Sequence, residues 1–268
     1  MRDTAAAIAA NRFGFGARPG ELAAIGSDPR GWLTAQLHGA PARLSDPGLR
    51  DSASIVAAVQ EIRRSRQQAR AEAASSDEQV TQFMKIGQLY RPVYVTEATV
   101  RLRAAVESER SFVERLTHFW TNHFAVSVDK VIVLGLAGSL EREAIRPHVL
   151  GRFTDMLLAV ERHPAMLLYL DNAGSVGPHS LAALLAHGRG GNAKLGINEN
   201  LAREILELHT LGVDGGYTQA DVTTFAQVIS GWSIGGGLGR LRGGEPGQFM
   251  FRPALHEPGA KSLLGKRY

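Results

Sequence analysis

The 268-residue chain has no cysteine. Disulfides and thiolate metal ligands are therefore excluded, while the redox compartment stays open. No long hydrophobic run is present: the longest, Val131 to Leu136, is far too short to span a bilayer. The N-terminal Met-Arg-Asp-Thr-Ala-Ala-Ala-Ile-Ala-Ala carries one Arg, one Asp and a very short apolar stretch, which makes a poor signal peptide. Charge of one sign is also scarce. With 30 basic against 26 acidic residues the net charge is +4, and the densest basic stretch (Arg63, Arg64, Arg66, Arg70) turns acidic by Asp77. That pattern argues against a nucleic-acid partner. The sequence holds no Gly-x-Ser-x-Gly and no His-Glu-x-x-His, so the common serine-hydrolase and zincin patterns do not apply. The Gly14-Phe15-Gly16 pair lacks a following Gly-Lys-Ser/Thr and reads as a turn rather than a phosphate loop.

What is present is helical periodicity. Hydrophobic residues make up 44% of the chain, ample for a core. Apolar positions recur at helical spacing in most segments. The expected fold is mainly α: a multi-helix, orthogonal or bundle-like array forming a single helical domain over 1–268, with a long Gly-rich loop. At most a short β-hairpin is expected, near Phe249–Leu264. A helix ending near Tyr90 is expected to be interrupted by Pro92, and Ser75-Ser76-Asp77 to separate it from a largely exposed helix over 53–74. Thr218-Gln-Ala-Asp221 has the form of a capping box. Helices are also expected over Glu21–Ile25, Pro29–Leu37, Leu136–Leu150, Pro164–Leu170 and Gln219–Trp232, and residues 171–198 read as a long excursion around one short helix, Ser180–His187.

Two helices carry candidate chemistry. In Asn198–Gly212, Leu201, Ile205, Leu208 and Leu211 fall on one face, with Glu199, Arg203 and Glu207 opposite. Glu204 falls inside the apolar face, where a carboxylate must be paired, protonated, metal-bound or on the rim of a cleft. In Ser111–Val126, Phe112, Leu116, Phe119, Trp120 and Val126 define a face with His123 near its centre, expected to be buried and hydrogen-bonded, and His118 pointing away, expected to be more exposed. An imidazole and a carboxylate on the inner faces of packed helices can relay a proton or hold a divalent metal. His123 and Glu204 are thus the leading pair, with Asn122 and Arg203 as further candidates. The alternative is a structural hydrogen bond that fixes helix register. His209 is read as a helix-terminal histidine near free carbonyls, Asp214 and Asp221 as turn and cap residues, and His256-Glu257 with Lys261 as a surface turn.

Several stretches together resemble a known family. They include Asn11-Arg-Phe-Gly-Phe-Gly-Ala-Arg-Pro19, Phe119-Trp-Thr-Asn-His-Phe124 and His163-Pro-Ala-Met-Leu-Leu-Tyr-Leu-Asp171. Others are Asn198-Glu-Asn-Leu-Ala-Arg-Glu204, Glu207 through Thr218, Asp221-Val222, Gly231-Trp232 and His256 to Lys261. The family is the bacterial "domain of unknown function 1800". The resemblance implies a mainly helical protein, an export signal in many members, and frequent gene proximity to an alkaline-phosphatase-like protein, "domain of unknown function 1501". This chain lacks an evident export signal and stops at Tyr268, where members usually continue with further helix; it is expected to be the N-terminal part of a longer family domain. Two functions follow as expectations. One is an enzyme with a buried, metal-assisted His/Glu site suited to hydrolysis or oxidation. The other is a non-catalytic scaffold or maturation partner of the alkaline-phosphatase-like protein.

Overall fold

Helical spacing outweighs alternation throughout, and the computed structural model is accordingly mainly α. The structure describes residues 2–39, 43–71, 76–188 and 195–268. The helices in order are α1 (Arg2–Phe13), α2 (Glu21–Ile25), α3 (Pro29–Ala35), α4 (Ser52–Ala71), α5 (Ser76–Glu107), α6 (Ser111–His123) and α7 (Val131–Leu134). They continue with α8 (Ala137–Leu140), α9 (Phe153–Glu161), α10 (Pro164–Tyr169), α11 (Leu181–Gly188), α12 (Asn200–Glu204) and α13 (Gln219–Val228). Two small antiparallel hairpins close the chain. In the first, β1 (Trp232–Ile234) pairs with β2 (Phe249–Phe251). In the second, β3 (Ser262–Leu263) pairs with β4 (Lys266–Arg267). The first hairpin draws Trp232 out of the preceding helix, where the sequence had placed it.

The main core is built from α4, α5, α6, α8, α10, α12 and α13 around Val59, Tyr90, Phe124, Leu140, Met166, Leu201 and Val222. A satellite cluster joins Ala6, Ala10 and Ile25 under Trp32. Another joins Val176, Ala183 and Leu255. The expected capping box at α13 is formed: Thr218 Oγ1 accepts from the Asp221 amide and the Asp221 carboxylate accepts from the Thr218 amide.

Three local expectations change. Pro92 lies inside a continuous α5 and does not end it. Proline removes one intrahelical hydrogen bond, but the flanking Tyr90 and Val93 are buried in the core and hold the two halves together. Helix α4 is not largely exposed, because Ile55, Val56 and Val59 in its first half are fully buried. The expected single helix over 136–150 is α8 followed by a π turn (Glu141–Ile145) and a 3-10 turn (Arg146–His148). The proposed break at 75 and part of the 171–198 excursion (189–194) lie outside the described residues.

Candidate functional site

Both helices singled out by sequence are rotated from their expected orientation. In α6 the buried positions are Val113, Glu114 and Thr117, continued by Phe124, whereas Phe119 is 57% exposed. In α12 and the π turn after it (Ile205–Thr210), the buried positions are Leu201, Ala202, Ile205, Leu206 and His209. Leu208 is 56% exposed and Leu211 45% exposed. At 100° per residue the buried stripe lies roughly 90° round from the one drawn through the large aliphatic residues. The π turn, whose carbonyls bond five residues ahead (Leu206 O accepts from Leu211 N, 2.9 Å), widens the helix just where His209 turns inward.

The rotation decides where each candidate falls. His118 and His123 flank the buried face of α6 from opposite sides, and both are half-buried. The contrast in exposure expected between them is absent. His123 donates from Nε2 to the backbone carbonyl of His209 at 3.1 Å and lies among Phe119, Trp120, Phe124 and Phe153. Glu204 is half-buried rather than buried and makes no hydrogen bond or ion pair with the described residues; its charge acts on Glu161. Asn122 is exposed. Arg203 belongs to a separate surface network, donating to Glu199 and Gln219 at 3.1 and 2.9 Å. His123 and Glu204 are therefore not joined by a hydrogen bond.

The buried imidazole–carboxylate pair that the structure does hold is His209 with Glu161. His209 Nδ1 lies 2.8 Å from Glu161 Oε1, with side chains 4% and 2% exposed. Glu161 Oε2 is buried with no hydrogen-bond partner among the described residues, and His209 Nε2 likewise has none. Burial pushes the Glu161 carboxyl above its ordinary range. The hydrogen bond and charge of His209 pull it back only in part, and the neighbouring Glu204 charge adds to the rise. The Phe124 ring stands edge-on to the His209 ring at 5.1 Å. Sequence reasoning missed Glu161 because it ends an amphipathic helix, a position where a glutamate is ordinarily solvated. The available signal was its adjacency to His163-Pro164, whose side chain caps the next helix by accepting from the Ala165 amide.

A second polar cluster surrounds the other π turn. Arg146 grips Glu114 with both terminal nitrogens, at 2.9 and 2.8 Å, and donates through Nε to Glu141 at 2.9 Å. Arg101 and Thr121 both donate to Glu141 Oε2. Arg142 holds Glu97, and Glu143 takes hydrogen bonds from Ser52 and His163. These charges are paired in every case, as buried ions must be. They account for the polar inner face of α6. His118 sits at their edge against Phe15, ring centres 5.0 Å apart. Desolvation, assisted by the Arg101 charge, lowers its pKa.

The 256–261 turn is less exposed than expected. Glu257 is buried, with Oε1 2.6 Å from His179 Nδ1 and Oε2 accepting from the His179 amide at 2.9 Å. Lys261 donates to the Glu257 carbonyl, and the Glu257 amide donates to Ser230 Oγ. This is a tie between distant segments.

For a metal, the donors do not converge. Among the described residues no group of three or more His, Asp or Glu side chains is placed to hold an ion. Nor is any described helix long and apolar enough to cross a membrane. No curated protein matches the chain, and no solved structure does. The helical architecture and the residues quoted from Asn11 to Lys261 agree with a family match that spans residues 8–268. The chain belongs to the family described as "Protein of unknown function (DUF1800)".

Proposed function

We propose that this protein is an acid–base enzyme centred on Glu161 and His209, with His123 and Glu204 on the outer side of that pair. Glu161 carries the reading: it is a buried carboxylate with a raised pKa, one oxygen on an imidazole and the other without a hydrogen-bond partner among the described residues. A carboxylate held at Nδ1 fixes the imidazole tautomer and leaves Nε2 as the nitrogen that exchanges a proton. Perturbed groups of this kind concentrate at functional sites, as do π turns. The reaction class that suits the pair is hydrolysis or another proton transfer. His123 holds the π turn through the His209 carbonyl, and Phe124, stacked on Phe153, packs edge-on against the His209 ring. Asn122 and Arg203 take no part in the pair.

The test is turnover of a panel of chromogenic carboxylic esters, phosphomonoesters and phosphodiesters by the wild type, His209→Asn and Glu161→Gln, each checked for helical content. Turnover lost in both variants with the fold retained supports the reading. Turnover that survives in either variant, or a wild type inert to the whole panel, contradicts it.

A second reading keeps the chain as a helical partner of an alkaline-phosphatase-like protein. It is favoured by the exposed aromatic rings of Phe119 (57%) and Phe153 (38%), which flank His123 on the surface. Co-purification with that protein, lost in the Phe119→Ser variant, is the outcome it requires.

A further inference from the structure

A cavity of about 460 Å³ opens between α5, α6 and the segment that runs from the end of α1 into α2. Its lining includes the apolar Phe15, Leu102 and Val106 and three polar residues, Glu21, Ser111 and His118. Leu102 and Val106 are 60% and 69% exposed and stand at the rim. Phe15 packs against the His118 ring, with ring centres 5.0 Å apart.

The three polar residues have one property in common. Ser111 Oγ, His118 Nε2 and Glu21 Oε1 are buried atoms with no hydrogen-bond partner among the described residues. Ser111 and Glu21 are 6% and 7% exposed. The other oxygen of Glu21 accepts from the Arg18 amide at 2.8 Å, while Oε1 has the Arg18 guanidinium 3.6 Å away, beyond hydrogen-bond length. That guanidinium donates elsewhere, to the Glu107 carbonyl at 2.8 Å. A buried polar atom left unpaired is costly, and native proteins keep few of them. Three round one cavity are accounted for together by an occupant that supplies the missing partners. Water could meet the polar atoms, but it gains nothing from Phe15, Leu102 and Val106, which favour an apolar occupant. The charges at the site balance. Arg18 and Glu21 form an ion pair. Burial, assisted by the Arg101 charge, lowers the His118 pKa, so its ring is neutral at neutral pH.

We infer that this cavity binds a small uncharged ring compound that pairs an apolar face with hydroxyl groups. A hydroxyl both donates and accepts, so hydroxyls suit a carboxylate oxygen, a serine hydroxyl and a neutral imidazole together. The apolar face packs on Phe15 and the rim aliphatics. The volume suits a single ligand of this size. Neither Glu161 nor His209 lines the cavity, so the site is independent of that pair.

Resorcinol, an aromatic diol, and methyl glucoside, a cyclic polyol, are titrated into the full chain, with toluene as the apolar control. The readout is the Ser111 amide and His118 ring resonances. At least one of the two hydroxylated probes is expected to shift them saturably, and the tighter of the two tells a phenol from a carbohydrate. Ser111→Ala removes a hydroxyl that has no partner in the free protein, so the fold keeps its stability while affinity falls about fivefold or more. Leu102→Arg, at an exposed position, should close the rim and abolish binding, which checks the site without touching its polar atoms. Toluene binding as tightly as resorcinol, with affinity unchanged in Ser111→Ala, would overturn the inference. So would unchanged affinity in both variants. Absence of a saturable shift with either hydroxylated probe up to about 10 mM would mean a cavity that holds water only, and would overturn it as well.

Discussion

Glu161 Oε1 lies 2.8 Å from Nδ1 of His209, and the backbone carbonyl of the same histidine accepts the Nε2–H of His123 at 3.1 Å. One π-helical residue thus links the C-terminal ends of α9 and α6. Burial raises the Glu161 carboxyl above its ordinary range.

Arg146 neutralises Glu114 and Glu141 in a site where all three side chains are at most 4% exposed. Removing the guanidinium leaves Glu114 buried without its cationic partner, while Glu141 keeps Arg101 and Thr121. Arg146→Ala should cost about 3–5 kcal/mol of folding stability. Arg146→Lys should recover only part of it, because an ammonium cannot make the two-pronged contact with Glu114. Chemical denaturation of both variants measures this. A loss in Arg146→Ala under about 1 kcal/mol would place the cluster with ordinary surface pairs.

Glu204 has no hydrogen-bonding partner among the described residues but raises the pKa of Glu161 through its charge. Glu204→Gln should therefore change stability by no more than about 0.5 kcal/mol, while the Glu161 titration moves down toward the ordinary Glu range. Carboxyl NMR of the variant reads the second effect and thermal melting the first. An unmoved Glu161 titration would mean that the two carboxylates do not interact.

His118 has a lowered pKa because burial and then the Arg101 charge disfavour its protonated form. In the pH window from the ordinary histidine value down to this lowered one, the unfolded chain binds the proton and the folded chain does not. Stability consequently falls as the pH drops through that window. His118→Gln should remove this part of the acid sensitivity. Denaturation midpoints compared between neutral pH and about pH 5 test it. Parallel loss in wild type and variant would assign the sensitivity to other groups.

Helix existence and order were legible in the sequence because periodicity is a local property. Helices α2, α3, α10 and α13 fall within a few residues of their expected places, and the Thr218–Asp221 cap is formed as read. Face assignment failed for a specific reason. Size and apolarity alone point Phe119, Leu208 and Leu211 inward, yet all three are exposed. The inward positions instead go to Glu114 and His209, whose partners Arg146 and Glu161 are distant in sequence, and to Thr117, which donates to the Val113 carbonyl. Long-range charge pairing overrode local hydrophobicity, and the π turns have no composition signal that distinguishes them from regular helix. The buried imidazole–carboxylate pair therefore lies near the expected helix but on other residues than His123 and Glu204: His209 and Glu161.

The proposed acid–base centre requires that Glu161 hold its proton at a pH where an ordinary glutamate has lost it. Because its folded pKa is raised, the folded chain keeps a proton that the unfolded chain releases, and stability declines as the pH rises from the ordinary Glu value through the raised one. A titration of the glutamate side-chain carboxyl carbons by NMR, with Glu161 assigned through Glu161→Gln, measures this directly. The expected result is a midpoint above the ordinary Glu range, accompanied by a response of the His209 ring resonances at the same pH. A Glu161 midpoint at or below the ordinary value, or a His209 ring that does not sense it, would contradict the assignment of this pair as the centre.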